Sequence, residues 1–306
     1  MSQSMKNSTF HAPLLGAFWM LASGLAFAVV NSTVQWVSFK QGFESANVAL
    51  YQYGIATIVL LPWMARQGFR ASLQTNHLTF HIIRVATAVT GVQFWLWAMA
   101  WPVPIWQAIA LLMTSPLFVV IGSALFLKEK VTLTRWLATV IGFIGAMIIL
   151  EPWGESFHES ALLPVTAALF WAAYSLMTKA QCKTESPTTL VFYLFALTVP
   201  FNLFISLPVL ALPEANMWPL LLVAGGLTGF AQLALTKAYQ SAEAAFIQPF
   251  DLAKLPLNVL IGFLVMGSVP PGKMWLGAAL IVGATLFITH RENKQAQTEN
   301  KNLVTS

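Results

Sequence analysis

The sequence predicts an all-α integral membrane protein, with ten transmembrane helices arranged as two inverted five-helix repeats. Three observations lead there. Only 9% of the 306 residues are charged and 57% are hydrophobic, with a mean hydropathy of +0.69, where a soluble domain of this size carries about 25% charged residues. Apolar runs long enough to cross roughly 30 Å of hydrocarbon as helices recur along the whole chain. The basic residues then fall on one side of the connections between those runs.

The runs cover residues 13–37, 45–65, 82–101, 104–127, 134–150, 161–178, 187–210, 217–237, 242–266 and 273–290. The fifth is short, and Trp101-Pro-Val-Pro104 either breaks one span or separates two, so nine or eleven crossings stay open. The connections are too short to hold a soluble domain. With the N-terminus inside, 13 of the 16 Lys and Arg residues lie on the cytoplasmic side, Arg66, Arg84, Lys128, Arg135, Lys179 and Lys237 among them. Lys40 and Lys273 lie outside and Lys254 falls within a span. This split accounts for the net charge of +5 without a nucleic-acid partner. It predicts a multi-pass protein of a bacterial inner membrane with both termini cytoplasmic. The single cysteine, Cys182, excludes an intrachain disulfide. Ala26-Phe-Ala28 mimics a signal-peptidase site, but the apolar run continues past it, so the first span is expected to stay.

A shift of 140 residues aligns Pro116 with Pro256, Gly122 with Gly262 and Ala98 with Ala238. One or two residues of slippage bring Gly145-Ala146 onto Gly283-Ala284 and Arg135 onto Lys273. The expected units are 1–150, 151–293 and a polar cytoplasmic tail, 294–306. Five crossings return the chain to the opposite face, so the second unit must enter the bilayer inverted. Such repeats are characteristic of secondary transporters, with the solute site near the midplane between halves.

Residues Trp97 to Phe118 and Ile121-Gly-Ser-Ala-Leu-Phe-Leu-Lys-Glu-Lys-Val131 resemble the third-to-fourth span region of the drug/metabolite transporter superfamily, as does the following Trp136 to Ala146, and within it the EamA family. That family's fourth span carries a mid-helix proline and closes on a Gly-Glu-like end, matched here by Pro116 and Lys128-Glu129. The second half repeats the pattern in Ala238 to Ala245 and Leu255-Pro-Leu257, but Gly267-Ser268 stands where Gly-Glu is expected. The resemblance implies a carrier of a small organic metabolite. Similar proteins export amino acids, or take up S-adenosylmethionine or riboflavin.

Within the ninth run stands Pro249-Phe-Asp-Leu-Ala-Lys-Leu-Pro-Leu-Asn258. At 100° per residue, Gln248, Asp251, Lys254 and Asn258 project within about 120° of one another on a continuous helix. Lys254 lies roughly 18 Å along the axis from Ala242, near mid-membrane. A charge there costs about 2.5–3.5 kcal/mol, so it should face protein or water and pair, and Asp251 is one turn away. Pro249 and Pro256 each remove a backbone donor, freeing the carbonyls of Ala245 and Leu252. Broken backbone at membrane depth is tolerated where it lines a cavity or is covered by protein. The functional reading is a cavity wall whose charge pair a solute or proton can disturb, with Asp251 the candidate for proton coupling. The structural reading is a salt bridge beside ordinary proline kinks.

The repeat places Thr114 opposite Lys254, although a lone threonine in a membrane helix usually bonds back to its own backbone. Gln93 and Trp97 lie deep in the third span, and a buried glutamine needs a partner; Tyr174 in the sixth span, Asn31 and Gln35 in the first, and Tyr51 and Tyr53 in the second are further candidates. Trp101 and Trp106 read as interfacial belt residues. Gly225 to Gly229 has the small-residue spacing of close helix packing, within a monomer or at a homodimer contact.

The five histidines sit in connections or at span ends, and no metal-ligand spacing, Ser-His pair at depth or phosphate-binding loop is visible. An enzyme is therefore not expected, and neither a metal nor a cofactor is. The partners expected are a small-molecule solute and the lipid bilayer. The leading reading is a secondary active transporter working by alternating access on an aromatic or heterocyclic solute such as a riboflavin-type vitamin. An exporter of amino acids or other metabolites is the alternative, and a channel a weaker one, since no filter-like repeat is present.

Overall fold

The computed structural model describes residues 12–100, 111–112, 114–150, 162–266, 275–284, 286–287 and 290–291. Among these, every regular element is a helix. Helix α1 (Ala12–Gln35) continues into a π-helical turn, Trp36–Lys40. Then come α2 (Ser45–Gln67), a short α3 (Phe69–Leu73) and α4 (Leu78–Ala100). Helices α5 (Ser115–Phe126), α6 (Leu133–Leu150) and α7 (Leu162–Gln181) follow. Helix α8 (Pro187–Ser206) tightens into a 3₁₀ turn, Leu207–Val209, before α9 (Trp218–Ser241). The last described helices are α10 (Ala244–Asp251), α11 (Lys254–Met266) and α12 (Trp275–Ala284).

Five segments are long and apolar enough to cross a bilayer: Pro13–Ser38, Ser45–Arg66, Pro187–Val209, Trp218–Ser241 and Ala244–Val265. The other apolar runs read from the sequence overlap α4, α7 and the shorter apolar helices α5, α6 and α12. The belt residues Trp101 and Trp106, the Gly267-Ser268 departure and the tail 294–306 lie outside the described residues.

Helix α1 packs along α9 and α11, while α7 packs along α4 and α5; α2 joins α8 and α9, and α5 meets α10. Small residues permit these approaches. A methyl group built on Gly225 would stand 2.5 Å from Ile55 Cβ, so the small-residue spacing of α9 is used against α2 within the chain. The Ser23 hydroxyl donates to the Ala231 carbonyl at 2.9 Å, pinning α9 to α1.

Among the described residues, Gly42 (φ +69°), Gly68 and Lys128 carry the chain through positive φ. Gly68, at φ +88°, joins α2 to α3. After α5, Lys128 sits at φ +55°, and the Glu129 amide donates to the Ser123 carbonyl at 3.1 Å, six residues back. That six-to-one bond closes a helix whose next residue is ordinarily glycine. The Gly-Glu end of the resembled family thus has a backbone reason, and lysine holds the position here at a conformational cost.

Candidate functional site

The ninth span is two helices. Pro256 has no N–H to give the Leu252 carbonyl, which instead accepts from the Leu255 amide at 3.1 Å, while the Ala253 amide donates to Phe250 O at 3.2 Å. These tightened bonds break the span at Leu252-Ala253, between α10 and α11. Asp251 therefore ends one helix and Lys254 begins the next. Helix dipoles favour the opposite signs at those ends, so the two side chains compensate each other: Lys254 Nζ pairs with Asp251 Oδ1.

The pair borders a cavity of about 380 Å³ at the depth of the break. Its aromatic lining is Phe27 of α1, Tyr53 of α2 and Trp171 and Tyr174 of α7; its polar lining is Asn31, Ser115, Ser175, Thr198, Gln232 and Asn258 beside the ion pair. The Asp251 and Lys254 side chains are 22% and 25% exposed, enough for a solute to reach them. The Lys254 ammonium also stands 5.7 Å from the Phe27 ring centroid. Asn31 Nδ2 donates to Asn258 Oδ1 at 2.9 Å, and Asn258 Nδ2 donates to the Lys254 carbonyl at 2.6 Å, so α1 is tied to the start of α11. Trp171 lies against Gly91, where a methyl group would stand 2.8 Å from its Cδ1. A second hollow, about 460 Å³, shares Asn31 and runs on to Gly42, Phe43, Glu44 and Ser45.

The opposite end, rich in lysine and arginine, is cross-linked. Glu129 accepts from the backbone amides of Ala244 (2.9 Å) and Ala245 (3.1 Å), capping α10 with a carboxylate. Arg135 pairs with Glu243, and its guanidinium lies 5.5 Å from the Phe246 ring centroid. Lys179 Nζ donates to the carbonyls of Tyr239 (2.6 Å) and Ala242. Cys182, just past α7, donates to the Thr236 carbonyl at 3.5 Å; burial pushes its thiol up to about 12, against the pull of Lys179 and Arg84. Arg84, only 1% exposed, donates to the Leu190 carbonyl at 2.8 Å and stands 5.5 Å from the Tyr174 ring centroid. The sequence reading counts Arg84 among the charges of the cytoplasmic side; in the fold it is a buried strut beneath Tyr174.

Of the candidates read from sequence, the fold brings Asp251, Lys254, Asn258 and Tyr174 to one cavity, with Asn31 and Tyr53. Gln248 is 2% exposed and bonds to the Tyr239 hydroxyl and Ala244 carbonyl, both at 3.4 Å, away from the lining. The shared helical face assumed for it ends at the break. Thr114 donates to the Leu111 carbonyl, three residues back, at 2.7 Å, and its neighbours Ser115 and Pro116 line the cavity. Gln93 is half-buried on α4, where Ala88, Val89 and Val92 form the wall. The Trp97 side chain lies outside the described residues. Phe27, Trp171, Ser175, Thr198 and Gln232 carry no sequence signal beyond being aromatic or polar within a span.

The model of the EamA-like transporter family matches residues 14–151 and again residues 159–290. A riboflavin transporter of Vibrio cholerae serotype O1 is 57% identical over 290 residues, covering 94% of this chain and 97% of that protein. A riboflavin transporter of Rhizobium johnstonii is 47% identical, covering 92% and 93%. A crystal structure 17% identical, covering 93% of this chain and 98% of its own, superposes with a TM-score of 0.73, a likeness of fold alone. The chain is accordingly a multi-pass membrane transporter rather than an enzyme, and it belongs to the EamA-like transporter family.

Proposed function

We propose that this transporter is a secondary carrier of riboflavin, or of a neutral aromatic heterocycle of that kind, working by alternating access. The observation that carries the reading is a cavity whose two charges cancel, in a chain 57% identical to a riboflavin transporter over nearly all of both. Its volume falls within the roughly 300–1,000 Å³ of small-molecule sites. Phe27, Trp171 and Tyr174 offer faces to a flat ring, and amides and hydroxyls offer partners to its edges. An amino acid would bring two charges that each need a desolvated partner, and among the described residues the charged groups lining the cavity, Asp251 and Lys254, are already paired with each other. A neutral ring system asks for stacking and hydrogen bonds only. In this reading Asp251, Lys254, Asn258 and Tyr174 touch the solute.

The helix contacts support the two inverted five-helix repeats, 1–150 and 151–293. Under that pairing α1 on α9 answers to α7 on α4, α1 on α11 to α7 on α5, and α2 on α9 to α8 on α4. The α5 start at Ser115 and the α11 start at Lys254 fall within one residue of each other at the 140-residue shift. The two separate family matches support the same division. Alternating access would then open the cross-linked end while closing the hollow at Gly42 to Ser45. The positive-inside rule puts the cross-linked end and both termini in the cytoplasm of a bacterial inner membrane.

The test is counterflow in proteoliposomes. Labelled riboflavin should enter vesicles preloaded with unlabelled riboflavin and saturate. Unitary currents, or no counterflow from correctly inserted protein, would overturn the reading. If Asp251 carries a coupling proton, Asp251→Asn should abolish accumulation against a gradient yet leave exchange intact. Wild-type accumulation in that variant removes the proton from the scheme.

A further inference from the structure

Resting on the riboflavin reading, we infer that Gln232 recognises the imide edge of the solute. Gln232 of α9 lines the cavity together with Trp171 and Tyr174 of α7. Its side-chain Oε1 is buried and accepts no hydrogen bond among the described residues. The neighbouring amides are committed: Asn31 and Asn258 bond to each other, Gln248 bonds within its own corner, and Gln52 donates to Thr228 Oγ1 at 2.8 Å. A buried acceptor left without a donor at a polar cavity marks the place where a ligand supplies one.

The chemistry of the missing donor follows from the side chain. A carboxamide presents an acceptor and a donor side by side. Its complement is a ring N–H next to a ring carbonyl, the arrangement in a cyclic imide such as the pyrimidine-dione edge of a flavin. Gln232 Oε1 accepts from the ring N–H while Nε2 donates to the adjacent carbonyl. The backbone is held for this task. Ser23 fastens residue 231 to α1, and the Thr236 hydroxyl donates to the Gln232 carbonyl at 2.8 Å, within α9. A site built to bond an N–H discriminates strongly against an analogue lacking it, because its own polar groups are left unpaired. Gln232 is in this way a specificity residue, while the aromatic side chains supply the non-specific stacking.

The experiment is a binding cycle on the purified full-length protein, with riboflavin and 3-methylriboflavin as ligands, the latter carrying N–CH₃ in place of the imide N–H. Wild type should prefer riboflavin at least about tenfold. Gln232→Met, near in volume but apolar, should lose that preference by weakening riboflavin alone, leaving the methylated ligand within about twofold. Should Gln232→Met fail to fold, Gln232→Asn, which withdraws the amide by one methylene, should reduce the preference. A preference unchanged in the variant that folds, or equal weakening of both ligands, overturns the assignment while the riboflavin reading stands. Wild-type protein that binds neither ligand overturns both.

Discussion

The two sides of the helix break handle polar groups in opposite ways. On the α10 side, residues 244–250 are all buried, and the turn that leads into them is fastened by Glu129, Arg135 and Lys179. On the α11 side, Lys254 and Asn258 border open volume, and Gln232, which lines the same cavity, has a side-chain oxygen with no donor among the described residues. Filled hydrogen-bonding capacity ties the helices together at one end; at the cavity the Gln232 oxygen is left without a partner among the described residues. The same span supplies both sides of the break because its prolines divide it.

The largest effect that could break this comparison is at the pair itself. Lys254→Met strands the Asp251 carboxylate at membrane depth, where an unpaired charge costs about 2.5–3.5 kcal/mol. Riboflavin counterflow should fall more than about tenfold, with reduced yield of folded protein. The double variant Asp251→Leu, Lys254→Leu removes the stranded charge and should recover yield but not transport, since breaking a pair is worse for stability than replacing it. Normal transport by the double variant would make the pair structural and move the solute elsewhere.

A smaller effect tests the clamped end. Glu129→Ala leaves the Ala244 and Ala245 amides without their carboxylate, and losing such a cap costs typically about 1 kcal/mol. That is enough to raise the population of an open end about fivefold. Cys182 reports it: with its pKa raised to about 12 by burial, the thiol is protonated at neutral pH and should alkylate slowly. In Glu129→Ala its labelling should accelerate about fivefold, and saturating riboflavin should change the rate. Equal labelling in the two proteins would show that the carboxylate does not hold that end closed.

Gly91 sharpens the comparison from the cavity wall. Alanine there meets Trp171 at 2.8 Å, closer than side-chain carbons approach, so the indole must shift. Affinity for riboflavin should drop several-fold while Cys182 labelling stays at the wild-type rate. A coupled change in both would mean that wall and clamp move together.

These contrasts also explain what could be read from the residues alone. Composition and spacing expose spans because burying backbone in lipid requires long apolar helices. Asp251, Lys254 and Asn258 were visible because charge and amide at that depth are costly without a reason. Gln248 was misplaced because its face was projected through Leu252-Ala253, where the helix stops. Prolines announced a distortion but not which carbonyl would be re-bonded. Gln232 and Trp171 were illegible, since they come from α9 and α7 and meet only through tertiary packing. The burial of Arg84 was illegible for a related reason: its partners Leu190 and Tyr174 are remote in sequence.

The smallest expected effect concerns the residue that aims Glu129. Lys128 occupies left-handed backbone at φ +55°, a conformation costing a non-glycine residue roughly 1–2 kcal/mol. Glycine there removes the steric cost but adds freedom to the unfolded chain, worth about 0.4–1 kcal/mol in the other direction. Lys128→Gly should therefore stabilise the protein by at most about 1.6 kcal/mol, read as a later midpoint in denaturant titration of the purified protein. Because the turn keeps its shape, Glu129 should still cap α10 and Cys182 should label no faster than in wild type. The lysine is then retained at the expense of stability, which fits its place in the basic cluster that the positive-inside rule uses to orient the chain. Faster labelling in Lys128→Gly would mean instead that the lysine side chain, and not only the turn beneath it, helps to keep that end shut.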